Sequence, residues 1–194
     1  MSRAALRLFV ALDLPASARE AIVAATSPLL LALPDLRWTA PENLHCTLVF
    51  LGDVDPDAVP VLRDRLSAAA VSVEPFETRV DGFGRFPARG AARVVWARLD
   101  DPLATMGALA GAVGRHTTDL VATKDRPFTA HVTVARARRP VRISPQLLET
   151  PIDARAFPVT EITLYRSHLG GARPHPRYEA LGTWGLGSRS VSVP

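Results

Sequence analysis

Residues 43–52, NLHCTLVFLG, have the composition of a buried β-strand yet set a histidine and a threonine two positions apart. Strand side chains alternate between faces, so residues i and i+2 project together. Simple alternation places Leu44, Cys46, Leu48 and Phe50 on one face and His45, Thr47 and Val49 on the other. The strand is expected to have an apolar back and a front that presents an imidazole beside a hydroxyl. One such strand assigns nothing, because a lone histidine among hydrophobic residues is ordinarily a satisfied core residue.

The pattern returns at residues 128–136, FTAHVTVAR, where alternation groups Ala130, Val132 and Val134 against His131, Thr133 and Ala135. A recurrence on the same kind of strand turns the reading from packing to chemistry. The stretch HTTD at 116–119 has the same bare spacing, but it closes a helical pattern and runs into Asp119, so His116 is read as a surface residue. His168 and His175 flank GGARP without a partner threonine and are read as loop residues.

Around these strands the chain alternates strands and helices. LRLFVALDLP reads as a strand, PASAREAIVAATSPLL as a helix, PDAVPVLRDRLSAAA as a second helix with Pro56 in its first turn, and DPLATMGALAGAVGRHTTDL as a third. FETRVDGFGRFP and ARVVWARLD read as strands separated by a glycine-rich turn, and VTEITLYRSHL and RYEALGTW as two more. The echo of element order predicts an α+β protein of two similar lobes rather than a doubly wound parallel sheet. Residues 1–194 are expected to form a single bilobal domain with an internal duplication, and the end of the chain, approximately 186–194 within GLGSRSVSVP, to fray.

The chain has 194 residues, 47% of them hydrophobic, enough for one sizeable core. The apolar run after Arg3 and Arg7 is cut by Asp13, so it reads as a strand rather than a signal peptide, and no run reaches the roughly 18 apolar residues of a membrane span. A cytoplasmic protein is expected. The single cysteine, Cys46, excludes an internal disulfide and a cysteine-rich zinc site. The excess of Lys and Arg over Asp and Glu, 23 against 19, lies in the C-terminal half, most densely in RARRPVR at 136–142. A guanidinium fork suits phosphate oxygens, and the cluster reads either as a phosphate-binding element or as a solvated basic loop.

Two histidines and two threonines suit metal-free phosphoryl chemistry. Imidazole titrates near neutrality, so one copy can act as base and the other as acid, while hydroxyls donate to the non-bridging oxygens where charge gathers. No metal site is expected: there is no His-Glu-x-x-His sequence and no second cysteine. Alternation points the Cys46 thiol to the apolar side, against a nucleophilic role. Trp38, Phe83 and Trp96 are candidates to stack on a base, weighed against core packing; GFGRFP at 82–87 reads as a turn, not a dinucleotide fingerprint.

With these residues in place, the sequence resembles the two-histidine phosphoesterase superfamily, and within it the RNA 2′,3′-cyclic phosphodiesterases historically called 2′-5′ RNA ligases. The likeness rests, in order, on RLFVALDLP, NLHCTLVFLG, GFGRFP, RVVWARL, FTAHVTVAR, LYRSHL and YEAL, with Ala130 standing where many relatives have proline. The resemblance implies two pseudo-symmetric lobes, each an antiparallel sheet with helices on its outer face, around a central cleft. It implies hydrolysis of a ribose 2′,3′-cyclic phosphate to a 2′-phosphate without cofactor or metal. Carried over by motif position, His45 is the proton donor and His131 the acceptor, while Thr47, Thr133 and Arg136 hold phosphate. The implied partners are RNA with a cyclic phosphate end or a cyclic nucleotide, with tRNA as a further substrate; a monomer is expected. Reverse 2′-5′ ligation, and an RNA-end binding protein without chemistry, are the competing readings.

Overall fold

The computed structural model describes residues 4–121, 127–168 and 176–187, together with the backbone of Val191–Ser192. In chain order the elements are β1 (Leu6–Asp13), α1 (Ala16–Ala25), α2 (Ser27–Ala32), β2 (Arg37–Trp38), β3 (His45–Val54), α3 (Val59–Val71), β4 (Phe76–Thr78), β5 (Val80–Phe86), β6 (Ala92–Leu99), α4 (Thr105–Thr117), β7 (His131–Val141), α5 (Pro145–Leu148), β8 (Phe157–Val159), β9 (Glu161–His168), β10 (Arg177–Gly185) and β11 (Val191–Ser192). Single turns of 3-10 helix at Pro41–Asn43 and Pro56–Ala58 lead into β3 and α3.

All strand pairs are antiparallel. One sheet runs β11-β10-β9-β1-β3-β7-β6-β5, with β2 on β7, and β4 pairs separately with β8. The long sheet has two halves, joined between β3 and β7 by one register pair, Cys46 with Val132. The halves are not the halves of the sequence, as the echo of elements suggested: β9, β10 and β11 complete the sheet begun by β1 and β3, and β5 to β7 form the other half.

The back of the sheet is covered. Leu8, Val10 and Leu12 of β1, Cys46 and Leu51 of β3, and Val132 and Val134 of β7 share one buried cluster with Leu62 and Leu66 of α3 and Leu109 and Val113 of α4. These positions recur at helical and strand spacing, which is why the sequence pattern located them. The back face of each half is therefore the core, and the front is left to polar and aromatic groups.

Four expectations change on this frame. GFGRFP is strand rather than turn: Gly82 to Phe86 belong to β5, and the turn follows at 87–91. A Cβ at Gly84 would fall inside the Trp96 indole, so the glycine serves close packing. Arg136 to Val141 continue β7, so most of the basic cluster is strand, not loop. His168 ends β9 and meets the Glu179 carboxylate at 2.6 Å, whereas His175 lies outside the described residues. Of the tail expected to fray, Leu186 is buried and Val191–Ser192 pairs with Thr183 and Trp184.

Candidate active site

The join between the half-sheets brings the two His-x-Thr strands together head to tail. Continuing the Cys46–Val132 pairing by one residue each way sets His45 beside Thr133 and Thr47 beside His131. All four side chains are half-buried on the front face. The positive charge of His131 acts on His45, and that of Arg136 acts on both imidazoles. The structure thus gathers His45, Thr47, His131, Thr133 and Arg136 in one place.

Arg136 arrives there by a route that alternation does not predict. Opposite Val95 and Trp96 of β6 stand Ala135 and Thr133, leaving Val134 as an extra residue. Two successive side chains, Val134 and Ala135, then turn to the core, and Arg136 returns to the front with His131 and Thr133. The β3 strand carries the same device: Ala11 and Val10 oppose Thr47 and Val49, Leu48 is extra, and Phe50 returns to the front. Ala135 and Val49 were therefore expected on the polar face and pack with the core instead, while Phe50 was expected inside and is 55% exposed. The fifth residue after each motif histidine occupies the matching place, arginine in one strand and phenylalanine in the other.

Each imidazole is oriented by its own backbone. His45 Nδ1 lies 2.8 Å from the Asn43 carbonyl and His131 Nδ1 2.7 Å from that of Thr129, two residues upstream in both cases. A carbonyl only accepts, so Nδ1 carries the proton in both rings and Nε2 is left to face the cleft. His45 Nε2 is 3.0 Å from Thr47 Oγ1. The Asn43 side chain donates to the Pro176 carbonyl at 2.9 Å, tying this corner to the start of β10. Arg136 reaches Thr133 Oγ1 at 3.5 Å, too long to immobilise either group.

Aromatic rings hold the histidines from the sides. Phe9 and Tyr178 lie 5.0 and 5.2 Å from His45, the tyrosine edge-on, and Phe86 and Trp96 lie 5.1 and 5.9 Å from His131. These contacts bury both imidazoles, and burial lowers both pKa values below the ordinary 6.5, with the Arg136 charge lowering them further. Their upstream carbonyls act in the opposite sense. Two influences act on His45 and not on His131: the carboxylate of Asp13, its register partner, raises its affinity for a proton, and the charge of His131 lowers it. Asp13 is itself fixed by Tyr165 Oη at 2.7 Å and Thr163 Oγ1 at 2.9 Å.

Of the stacking candidates, Phe83 is core at 3% exposure and Trp38 packs against the core beside Ala135, while Trp96 supports His131. Asp13, Phe9, Tyr165, Tyr178 and Phe86 were missed from the sequence. Only the β1–β3 register would have pointed to Asp13, and DLP after an apolar strand gives no hint of it. Cys46 is fully buried, with its thiol pushed up to about 12 by burial, which removes it from chemistry. Among the described residues, no three His, Cys, Asp or Glu side chains gather as metal donors, and no helix is long and apolar enough to cross a membrane.

Comparison with known proteins identifies the family. A family model described as LigT like Phosphoesterase matches residues 12–96. An RNA 2′,3′-cyclic phosphodiesterase of Escherichia coli (strain K12) is 34% identical over 186 residues, covering 93% of this chain and 96% of that protein. The chain belongs to the LigT-like phosphoesterase family. Another relative within it, the RNA 2′,3′-cyclic phosphodiesterase of Geobacillus stearothermophilus, is 32% identical over 92% of this chain, which spans 56% of that relative's length. The crystal structure of E. coli LigT complexed with 3′-AMP superposes with a TM-score of 0.77 at 32% identity, covering 94% of this chain and 98% of that one.

Proposed function

We propose that this LigT-like phosphoesterase hydrolyses ribose 2′,3′-cyclic phosphodiesters, on RNA ends and on nucleotides, to 2′-phosphomonoesters, with His45 as acid and His131 as base. The observation that carries the reading is the head-to-tail meeting of the two His-x-Thr strands. It offers one phosphate two imidazole Nε2 atoms, two hydroxyls and a guanidinium.

In the forward reaction His131 Nε2 takes a proton from water as the water oxygen bonds to phosphorus. The P–O3′ bond breaks, its electron pair stays on O3′, and His45 Nε2 delivers the proton that makes the 3′-hydroxyl. Thr47, Thr133 and Arg136 donate to the non-bridging oxygens, where negative charge builds. We assign the acid role to His45 because Asp13 favours its protonated form, against the lowering by burial, Arg136 and His131, and no carboxylate acts likewise on His131. The product's 2′-phosphate and a neutral His45 remain, with the extra proton on His131; exchange with solvent resets the pair. Reverse 2′-5′ ligation would exchange the two roles.

The test is to incubate the protein with an oligonucleotide ending in a 2′,3′-cyclic phosphate in excess EDTA and locate the phosphate afterwards. A 2′-phosphate end is expected. Loss of turnover on chelation, restored by zinc or manganese, would overturn the mechanism, and salt-sensitive binding without turnover would leave an RNA-end binder. We also take the protein to be a cytoplasmic monomer whose RNA substrates include tRNA ends; support comes from the arginine-rich region at 136–142 and the buried thiol. Sedimentation velocity and turnover of cyclic-phosphate-ended tRNA fragments check those two points.

A further inference from the structure

The strand outside each catalytic strand sets one residue directly opposite the motif histidine. In β1 that residue is Asp13, opposite His45, and in β6 it is Arg98, opposite His131. Corresponding places in the two half-sheets thus carry opposite charges, a carboxylate beside one imidazole and a guanidinium beside the other. Asp13 is held by Tyr165 and Thr163, whereas Arg98 takes no part in the proton transfers. Register partners share a face, so Arg98 rises from the front of the sheet with His131 and with Trp96, two residues before it. Its guanidinium stands 3.9 Å from the Asp81 carboxylate of β5, and both side chains are about half exposed or more. An exposed pair at that distance contributes little to stability, which leaves the donors of Arg98 free to exchange Asp81 for another anion.

We propose that Arg98 binds a second phosphate of the substrate, the one on the 5′ side of the nucleoside that carries the cyclic phosphate, and so selects RNA ends over free cyclic nucleotides. The claim rests on the phosphodiesterase reading and deepens it by choosing between the two substrates that reading admits. A cyclic mononucleotide carries one phosphate, whose charge is already answered by Thr47, Thr133 and Arg136. In an RNA end the 2′ and 3′ oxygens are taken by the cyclic phosphate, so the chain continues only through O5′, and its nearest further phosphate stands there. The backbone of Arg98 lies one strand spacing, about 4.8 Å, from that of His131. Its long side chain leans toward β5, away from Thr47, Thr133 and Arg136, which puts the guanidinium outside the cage of the reacting phosphate and beside it on the scale of one nucleoside. The planar fork of donors matches phosphate oxygens in pairs, and a guanidinium keeps its charge at every working pH. Asp81 then has a defined effect: its negative charge competes with the phosphate for Arg98 and weakens the grip.

The experiment compares two product ligands by calorimetry, adenosine 2′-phosphate and adenosine 2′,5′-bisphosphate, on the wild type, Arg98→Gln and Asp81→Asn, with wild-type turnover of 2′,3′-cyclic AMP measured alongside. A charge-assisted contact to the 5′-phosphate predicts that the wild type binds the bisphosphate about tenfold more tightly than the monophosphate, a preference that fades as salt rises. Arg98→Gln should abolish the preference by weakening the bisphosphate alone, and Asp81→Asn should enlarge it. A wild type that binds both ligands equally, or a preference that survives Arg98→Gln, would overturn the second phosphate site. Absence of turnover together with a preference that depends on Arg98 would overturn the catalytic reading while leaving the site standing. Thermal unfolding of the glutamine variant guards against a folding defect. If one appears, Asp81→Asn decides by its opposite sign: a preference unchanged or reduced in that variant would overturn the proposal.

Discussion

At the scale of single residues, the balance of charge around His45 makes opposite substitutions move the pH profile in opposite directions. The limb of kcat/KM that falls at high pH reports loss of the acid's proton in the free protein, and the two imidazoles titrate as a coupled pair. Asp13→Asn removes a charge that raises the proton affinity of His45, so this limb should move to lower pH. Arg136→Gln removes a charge that lowers both histidines, so the limb should move to higher pH while KM rises through loss of a phosphate contact. Profiles measured on 2′,3′-cyclic AMP decide this; shifts of the same sign would break the assignment. His45→Ala and His131→Ala are each expected to lose about 10²- to 10⁴-fold in kcat, as removal of a positioned acid or base does. Cys46 should resist thiol reagents in the native protein and react only after denaturation, because its thiol is buried and its thiolate disfavoured.

At the scale of elements, what the sequence made legible was the periodicity, and what it hid were the interruptions. His45, Thr47, His131 and Thr133 stand together as alternation predicts. Beyond the threonines the rule fails in both strands, at Leu48 and at Val134, because a single extra residue reverses every later assignment and leaves no compositional mark. The error therefore fell on Phe50, Val49 and Ala135, while Arg136 was found by motif position rather than by face. GFGRFP misled for a related reason. Glycine reads as a turn, yet Gly84 lies in a strand where its missing side chain admits the Trp96 ring that buttresses His131. Gly84→Ala should accordingly lower stability by about 1–3 kcal/mol, the usual cost of overpacking, and reduce turnover by displacing Trp96. Calorimetric unfolding and kcat on the same preparation test both parts; an alanine variant as stable and as fast as the wild type would show the indole to be free to move.

At the scale of the whole molecule, burying two neutral imidazoles ties stability to pH. Well above the ordinary 6.5 both are predominantly neutral, folded or unfolded, and contribute little to the slope, the protonated His45 that the acid step uses being the minor form there. Below it the unfolded chain takes up protons that the folded chain, with its lowered values, refuses, so the protein should lose stability as pH falls from 6.5 into the acid range. His131→Gln should flatten that slope, as read from unfolding midpoints at matched ionic strength. An unchanged slope would place the cause elsewhere.

The interleaving of strands has a consequence for how the protein is made. A ribosome releases β5, β6 and β7 as one contiguous piece, but β1 and β3 emerge early and must wait for β9 and β10 before their neighbours are complete. Until then β1 offers an unpaired edge to other nascent chains. A polypeptide halted near residue 156 would contain both histidines yet lack Tyr165 and Thr163, which hold Asp13, and Tyr178, which abuts His45. Every atom that handles a proton would have been synthesised, and the acid would still have no settled surroundings in which to work.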